Sequence, residues 1–268
     1  MSDFTADGPV FGEERRQRIL GIVQTEGRAR VRDLAVLIGV TETTIRKDIA
    51  DLDRARLVRR IHGGALAVEE PDVADRTDRN LTAKRAIARA CLELIGDGDA
   101  IFLDSGTTIA EIADALVAPA LALDGTRQPS NVNVLTNSLP VAGTLARSTN
   151  VRHTVLGGQF RPLGGCFVGS LALEALDRFS VSTAFIGVTG ITDTGITCAD
   201  TAEAQVKIAA ISRSRRVVAP LDSSKVGVSD FVRVADLSVI DVVVTDRPSD
   251  ELSALAAEAE FSVVIAHP

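Results

Sequence analysis

VTETTIRKDIADLDRARLVRRIHGG, residues 40–64, is the stretch whose reading decides the fold. Val40, Ile45, Ile49 and Leu52 recur at helical spacing and mark one face as buried. Turning by about 100° per residue, the opposite face carries Thr43, Arg46, Lys47 and Ala50, with Thr44 near its edge. Thr41 suits the N-cap, because its side-chain oxygen can accept from a free N–H of the first turn. A helix that begins there shows Thr43, Thr44, Arg46 and Lys47 close to its N-terminus, the part of a recognition helix that meets base edges.

The flanking segments extend this reading. Upstream, residues 15–24 have helical spacing with Ile19, Leu20, Ile22 and Val23 apolar, and Glu26-Gly27 ends the run. Residues 31–38 form a second short helix, and Gly39 supplies the tight turn into Val40. Downstream, residues 57–62 alternate like a strand, Gly63-Gly64 reads as a hairpin turn, and residues 65–68 return. The order is helix, helix, turn, helix, wing. Arg59 and Arg60 at the base of the wing are placed to reach phosphate or the minor groove, and His62 to hold its turn. An amphipathic helix with a solvated charged face is the plainer reading of the third helix alone. The combination of helix order, turn glycine and basic wing in one window favours DNA binding.

TIRKDIADLDRARLVRRIHGGA resembles the DeoR family of bacterial winged helix-turn-helix regulators, which carry a T-I-R-x-D-L-x-x-L run and a wing ending in R-x-H-G-G-A. Thr44, Ile45, Arg46, Asp48, Leu52, Leu57, Arg60, His62, Gly63, Gly64 and Ala65 fall on that pattern. Ile49 stands where a leucine is usual, and Arg56 where a glycine is common, which bears on how the wing joins the helix.

With 268 residues the chain has room for a small and a large domain. No run of about 18 or more apolar residues predicts a membrane span, and no secretory leader pattern opens the chain, so a cytoplasmic, nucleoid-associated protein is expected. Three widely spaced cysteines, Cys91, Cys166 and Cys198, have no metal-ligand spacing and read as core residues in a reducing compartment. Without Trp or Tyr there is no aromatic platform for single-stranded nucleic acid beyond scattered Phe. The net charge of −7 argues against nucleic acid, but its distribution reverses the argument: residues 13–62 hold 12 Lys/Arg against 8 Asp/Glu. The basic end reads DNA and the acidic remainder does something else.

Residues 1–12 are expected to be a flexible lead, and 69–80, polar with Pro71, a linker. The helix-turn-helix domain is therefore placed at 13–68 and the second domain at 81–268. The latter opens with a helix at 81–95, with Ile87, Cys91 and Ile95 on one face and Lys84, Arg85 and Arg89 outward. Short apolar runs follow at 100–103, 132–135, 151–156, 184–188, 216–221, 240–244 and 261–266, trading with helices at 109–117, 139–147, 171–178, 201–212 and 248–259. Apolar strands without alternation, trading with helices, build a mainly parallel α/β sheet buried on both faces. Residues 118–131 interrupt the rhythm as a surface loop.

In open α/β sheets ligands bind at the carboxyl ends of the strands. After the first strand comes Asp104-Ser105-Gly106-Thr107-Thr108, either a phosphate cradle of backbone amides and hydroxyls at a helix N-terminus or a plain capped turn. Asn137, Gly157, Gly158, Gly187 and Lys225 end later strands and are small, polar or glycine-rich, as a shared crevice requires. Lys225 offers a point charge to phosphate, and Asn137 and Asp104 offer hydrogen bonds to sugar hydroxyls. Glu203 and Lys207, four apart on one helix, read equally as a surface pair or as pocket residues.

The resemblance to the DeoR family continues here through Ala83 to Ala88, D-S-G-T-T, T-N-S, Gly157-Gly158, F-I-G-x-x-G-I from Phe185, E-A-x-x-K from Glu203 and D-S-S-K from Asp222. It implies a Rossmann-like sensor domain, related to ribose 5-phosphate isomerase, that binds a phosphorylated sugar or related metabolite. It further implies a homo-oligomeric repressor of a carbohydrate catabolic operon, released from double-stranded operator DNA by that effector. The enzymatic alternative is a sugar-phosphate isomerase with a DNA-binding appendage. Such isomerases need the carboxylates of a G-A-D-E-x-D stretch, where this chain has Gly187-Val188-Thr189-Gly190-Ile191-Thr192. No catalytic residue, metal ligand or cofactor is therefore expected; His153 and His267 read as structural.

Overall fold

The computed structural model describes residues 12–54, 57–61, 63–67, 77, 79–119, 125–149 and 151–267. Residues 1–11 of the expected lead, most of the linker, His62 and Arg56 lie outside the described residues, while Gly12, the last residue of that lead, opens a helix. The chain divides into two compact units, Met1–Glu70 and Pro71–Pro268.

The first unit runs α1 (Gly12–Glu26), β1 (Arg28–Arg30), α2 (Val31–Ile38), α3 (Glu42–Arg54), β2 (Val58–Ile61) and β3 (Gly64–Ala67). Ile19, Leu20 and Val23 of α1, Leu34 and Ile38 of α2, and Ile45, Ile49 and Leu52 of α3 are buried, so three amphipathic helices share one core. Val40, expected on the buried face, is only partly covered, and Asp48 takes an inward position instead. Its carboxylate accepts from Arg15 Nε at 2.6 Å and Nη2 at 3.2 Å, tying α1 to α3 with a charge-assisted pair. Gly39 adopts φ 78°, the left-handed conformation that stops α2.

The three strands form a sheet in the order β1-β3-β2. Strand β1 has no alternating apolar pattern, which is why the sequence hides it. The wing pairs Val58 with Ala67 and Ile61 with Gly64, so Gly64 belongs to the strand and not to the turn where the sequence reading puts it. Gly63 supplies the positive φ of 84°. Gly64 serves a different purpose: a Cβ there would lie 2.2 Å from the Ala29 carbonyl oxygen, so only glycine lets β1 and β3 meet.

The second unit opens with α4 (Leu81–Leu92), then β4 (Ala100–Leu103), α5 (Thr107–Val117), β5 (Asn133–Thr136), α6 (Leu139–Leu145) and β6 (Arg152–Val155). There follow the hairpin β7 (Gln159–Arg161) and β8 (Cys166–Val168), α7 (Ser170–Leu176), β9 (Val181–Phe185), β10 (Gly190–Thr192) and β11 (Gly195–Cys198). The unit closes with α8 (Thr201–Ser212), β12 (Ser214–Pro220), β13 (Val232–Ala235), β14 (Val242–Thr245), α9 (Asp250–Ala259) and β15 (Ser262–Ile265).

The seven apolar runs become one parallel sheet in the order β15-β14-β12-β9-β4-β5-β6. Alternate residues feed two cores: Phe102, Leu135, Ala184 and Val243 on one face, Ile101, Leu103, Val134, Phe185 and Val244 on the other. Burial on both faces explains the absence of polar alternation in the inner strands, whereas the edge strand β6, Arg-His-Thr-Val, is mostly exposed. Lys84, expected outward on α4, is 4% exposed, and its Nζ donates to the Thr77 carbonyl at 3.4 Å. The β7–β8 hairpin and a second sheet, β10-β11-β13, are antiparallel additions that the strand-helix rhythm did not announce. Among the described residues, no helix is long and apolar enough to cross a membrane.

Strand β4 starts the sheet, β5 and β6 build outward on one side, and β9, β12, β14 and β15 on the other. The chain therefore reverses direction of growth between β4 and β9. In a doubly wound sheet that switch point opens a crevice beyond the strand ends, bounded here by Asp104 after β4 and Gly187 after β9.

Candidate functional site

In the first unit, Thr41 caps α3: the Thr44 N–H donates to Thr41 Oγ1 at 3.2 Å and the Ile45 N–H to the Thr41 carbonyl at 3.1 Å. With Ile45, Asp48, Ile49 and Leu52 turned inward, Thr43, Arg46 and Lys47 are exposed and Thr44 half-buried. Arg46 makes an exposed i,i+4 pair with Glu42 at 3.0 Å, a weak tether that water and salt screen. Arg59 and Arg60 are exposed on β2, and the Arg60 N–H donates to Asp53 Oδ1 at 2.7 Å, fastening the wing to the end of α3. Arg46, Asp53, Arg60 and Gly63 line one groove between helix and wing. Of the residues expected to meet DNA, Arg46 and Arg60 line that groove, and Thr43, Lys47 and Arg59 are exposed outside it.

In the second unit, the switch point is bridged by Asp104. Its Oδ2 accepts from the Gly187 N–H at 2.9 Å and from Lys207 Nζ at 2.5 Å. Asp104 is 1% and Lys207 2% exposed. Burial pulls the lysine's pKa down, but the nearby charges of Asp104 and Glu203 outweigh it and hold the ammonium above its ordinary value. Lys207 is a fixed cation, and Asp104 is the centre of a buried network.

Glu203 and Lys207 therefore do not pair with each other on the surface. Glu203 accepts from Arg161 Nη1 at 2.8 Å, and Arg161 Nε also meets Asp200 at 3.1 Å. Arg161 ends β7, so the hairpin is clasped to the start of α8. The loop of that hairpin approaches closely: a Cβ at Gly164 would lie 2.0 Å from Glu203 Oε1. Asp200 caps α8 by accepting from the N–H groups of Ala202 and Glu203. Asp200-Thr201-Ala202-Glu203 has capping-box spacing, a signal that marks Asp200 in the sequence. Arg161 carries no comparable signal, since its partners lie about forty residues away.

Gly187 permits a further approach, because a Cβ there would lie 2.2 Å from the Ser105 carbonyl oxygen. Beyond Ser105, α5 begins at Gly106 with φ 123° and no side-chain cap, so its first N–H groups face the strand ends uncapped. Helices α6, α8 and α9 are instead capped by Ser138, Asp200 and Ser249. Thr108, in the first turn of α5, is 3% exposed. Asn137 follows β5, the strand beside β4, and its Nδ2 donates to the Phe167 carbonyl at 3.1 Å. Lys225 Nζ donates to the Val188 carbonyl at 2.7 Å, next to Gly187. Gly157 and Gly158 lie at the end of the edge strand β6; a Cβ at Gly158 would lie 2.6 Å from the Val168 carbonyl oxygen, so this residue closes the hairpin.

Asp222 completes the rim. Burial would raise its pKa, but the Ser224 hydroxyl, the Lys225 charge and the Asn80 amide hold it below the usual carboxylate range. The Cys166 thiol, between strand β8 and the Glu203 carboxylate, is pushed up to about 12 by burial and by the charges of Glu203 and Asp104. A thiol so protonated is no nucleophile near neutral pH.

Comparison with known families and proteins agrees with this anatomy. A profile described as the DeoR-like helix-turn-helix domain matches residues 15–71, and one described as the DeoR C terminal sensor domain matches 79–247. The chain is 32% identical over 267 residues to a putative aga operon transcriptional repressor of Escherichia coli O157:H7, covering 95% of this chain and 96% of the other. It is 31% identical to the glycerol-3-phosphate regulon repressor of Escherichia coli K12 (88% and 91% covered) and 32% identical to the transcriptional repressor GlcR of Bacillus subtilis (89% and 90%). Among solved structures, ribose 5-phosphate isomerase A from Methanocaldococcus jannaschii is similar over 55% of each chain, with 19% identity and a TM-score of 0.38.

Proposed function

The chain belongs to the DeoR family of DNA-binding transcriptional regulators, and from that premise we propose that it represses a carbohydrate catabolic operon and is released by a phosphorylated sugar or related metabolite. Thr43, Thr44, Arg46 and Lys47 enter the major groove from α3, while Arg59 and Arg60 meet backbone phosphate from the wing. His62 is assigned to the same wing from the sequence alone. One winged domain reads only a half-site, so the protein acts as a homo-oligomer on double-stranded operator DNA in the cytoplasm, at the nucleoid.

The effector takes the switch-point crevice. The amides of the loop from Ser105 to Thr108 receive its phosphate, helped by the Lys225 ammonium, and Asp104 and Asn137 face its remaining polar groups. The observation that carries this reading is the uncapped start of α5 beside the buried Asp104–Lys207 pair, an anion-binding helix end next to a preorganised polar wall. Turnover is not part of the proposal. Thr189 Oγ1 donates to the Thr197 carbonyl at 3.0 Å, and the Thr192 and Thr194 hydroxyls bond each other at 2.8 Å, so neither position offers a general base.

The test is operator binding by fluorescence anisotropy, on a sequence selected by the protein from random duplex DNA, with and without a panel of sugar phosphates. At least one ester should weaken binding about a hundredfold, a coupling of roughly 2.7 kcal/mol and ordinary for allostery. Selection of no sequence would refute the DNA reading, and operator affinity indifferent to every phosphate ester would refute the effector reading.

A further inference from the structure

The chain that joins the two units enters α4 through Asn80. Asparagine is among the preferred helix N-caps: with its backbone extended, its side-chain oxygen accepts from an amide of the first turn. Asn80 occupies the N-cap position of α4 but is left-handed, at φ 57° and ψ 32°, and its side chain makes no cap. Its Nδ2 donates instead to Asp222 Oδ1 at 3.0 Å, 142 residues away in sequence. Asn80 is exposed, whereas Asp222 is buried.

Asp222 belongs to the rim of the crevice. The same Oδ1 accepts from the Ser224 N–H at 3.2 Å and from the Ser224 hydroxyl, which closes the single 3-10 turn Ser223–Lys225. Lys225 ends that turn and reaches the Val188 carbonyl, and Val188 follows Gly187, whose N–H is held by Asp104. Bonded neighbours therefore run without a break from Asp104 through Gly187, Val188, Lys225 and Asp222 to Asn80. Just ahead of α4, buried Lys84 holds the Thr77 carbonyl, so the entering chain is tied to the second unit at two described points.

A series of contacts alone transmits nothing; coupling needs an element with two arrangements that both sites bias. Asn80 has two. Left-handed, its amide reaches Asp222; extended, its oxygen caps α4, and one backbone conformation excludes the other. We propose that Asn80 is the positioning residue through which the effector crevice acts on the chain leading to the DNA-binding unit, paired with Asp222 in one state and capping α4 in the other. The proposal rests on the sensor reading and supplies its route. An anion that engages the Lys225 ammonium competes with the Val188 carbonyl and so bears on the turn that aims Asp222. Exchanging the partner of Asn80 rotates its backbone and redirects the segment that precedes it. A hydrogen bond to a charged group shifts an equilibrium by about ten- to hundredfold, the size of response that an effector must produce.

The test uses the full-length protein, its selected operator, and glycerol 3-phosphate, glucose 6-phosphate and glucosamine 6-phosphate, with inorganic phosphate as control. Asn80→Asp keeps the cap but loses the amide donor and sets a carboxylate against Asp222. Asn80→Gly keeps the left-handed backbone and loses both bonds. An ester that weakens wild-type operator binding about a hundredfold should weaken that of either variant about tenfold or less. The same ester should still bind both variants in calorimetry without DNA, and their melting temperatures should stay within about 4 °C of wild type. The reversed pair, Asn80→Asp with Asp222→Asn, restores an amide–carboxylate bond with the donor on the other side. It should respond to the ester at least about threefold more than Asn80→Asp alone, a rescue that a merely structural role would not give.

Variants that respond as fully as wild type overturn the inference and leave the sensor reading intact. So do variants that no longer bind the ester, and a folded reversed pair that responds no better than Asn80→Asp. Wild-type operator binding indifferent to every ester sinks the sensor reading and this route with it.

Discussion

Replacing Lys207 by methionine should destabilise the second unit far more than any surface substitution. The methionine fits the same volume but strands the Asp104 carboxylate with only the Gly187 N–H, in a place 1% exposed to solvent. Breaking a buried ion pair by removing one partner costs about 3–5 kcal/mol, most of it the penalty of the uncompensated charge. For a unit of this size each kcal/mol lowers the melting temperature by about 2–4 °C, so a loss of roughly 6–20 °C is predicted. The double variant Asp104→Asn/Lys207→Met removes both charges and should recover most of that loss, giving a coupling of at least about 2 kcal/mol in the cycle. The pH dependence has a definite sign. Lys207 has a folded pKa above its unfolded value, so its stabilisation is complete below about 10.4 and is lost as pH rises through the higher folded value. Calorimetry at pH 6–9 should therefore show a constant difference between wild type and Lys207→Met that shrinks only above about pH 10.4. A single variant that melts within about 1 kcal/mol of wild type, or a double variant as unstable as the sum of the singles, would refute the buried network.

Lys47→Ala should leave the fold intact, because the side chain is exposed, but weaken binding to the selected operator about three- to tenfold. If Lys47 meets phosphate, the slope of log affinity against log salt falls by about one; unchanged affinity removes it from the interface. Gly64→Ala should lower the melting temperature of the winged unit, since the new Cβ lies 2.2 Å from the Ala29 carbonyl and forcing β1 and β3 apart costs about 1–3 kcal/mol. Operator binding should fall with it, and an unaltered melting curve would contradict the register of the wing. Arg15→Met strips Asp48 of its partner and should cost the same unit about 1–3 kcal/mol by urea titration, with no change if the pair contributes nothing.

What the sequence disclosed follows from what each element needs. The inner strands of the parallel sheet were legible because burial on both faces demands short unbroken apolar runs, a cause the mostly exposed edge strand β6 does not share, and α3 because one buried face repeats with helical period. The additions were not. Strand β1 is Arg-Ala-Arg, with only its middle residue leaning inward, and the β7–β8 hairpin is three residues a side with Phe160 exposed. Such strands exist by tertiary pairing and leave no periodic trace. Helical spacing likewise put Lys84 outside, although its amine reaches a carbonyl seven residues earlier, because a long aliphatic stem can be buried while its tip finds an oxygen. The residues after each strand were legible as a group, since strand ends in this architecture converge. Their partnerships were not: Lys207 finds Asp104 across 103 residues, and Glu203 finds Arg161 across 42. The i,i+4 spacing left a surface pair and a pocket role equally open, and the close ion pairs of the two residues run to Arg161 and Asp104.

That rearrangement bears on what the crevice can do. A group that moves protons needs a pKa near the working pH and freedom to exchange its proton. Here Glu203 is held by Arg161, and Lys207 is locked as a cation against Asp104. Among the described residues, the charges of Asp104, Lys207, Glu203 and Arg161 are committed to each other. Such a site can still be selective. Its free capacity, among the described residues, lies in the start of α5, which has no side-chain cap, and in the unpartnered oxygens of Asp104, Thr108 and Asn137. Binding energy drawn from those groups appears only in the occupied state and is available to shift a conformational equilibrium instead of lowering a barrier. A crevice whose ion pairs are committed to each other and whose spare capacity is hydrogen bonding is suited to binding and not to proton transfer.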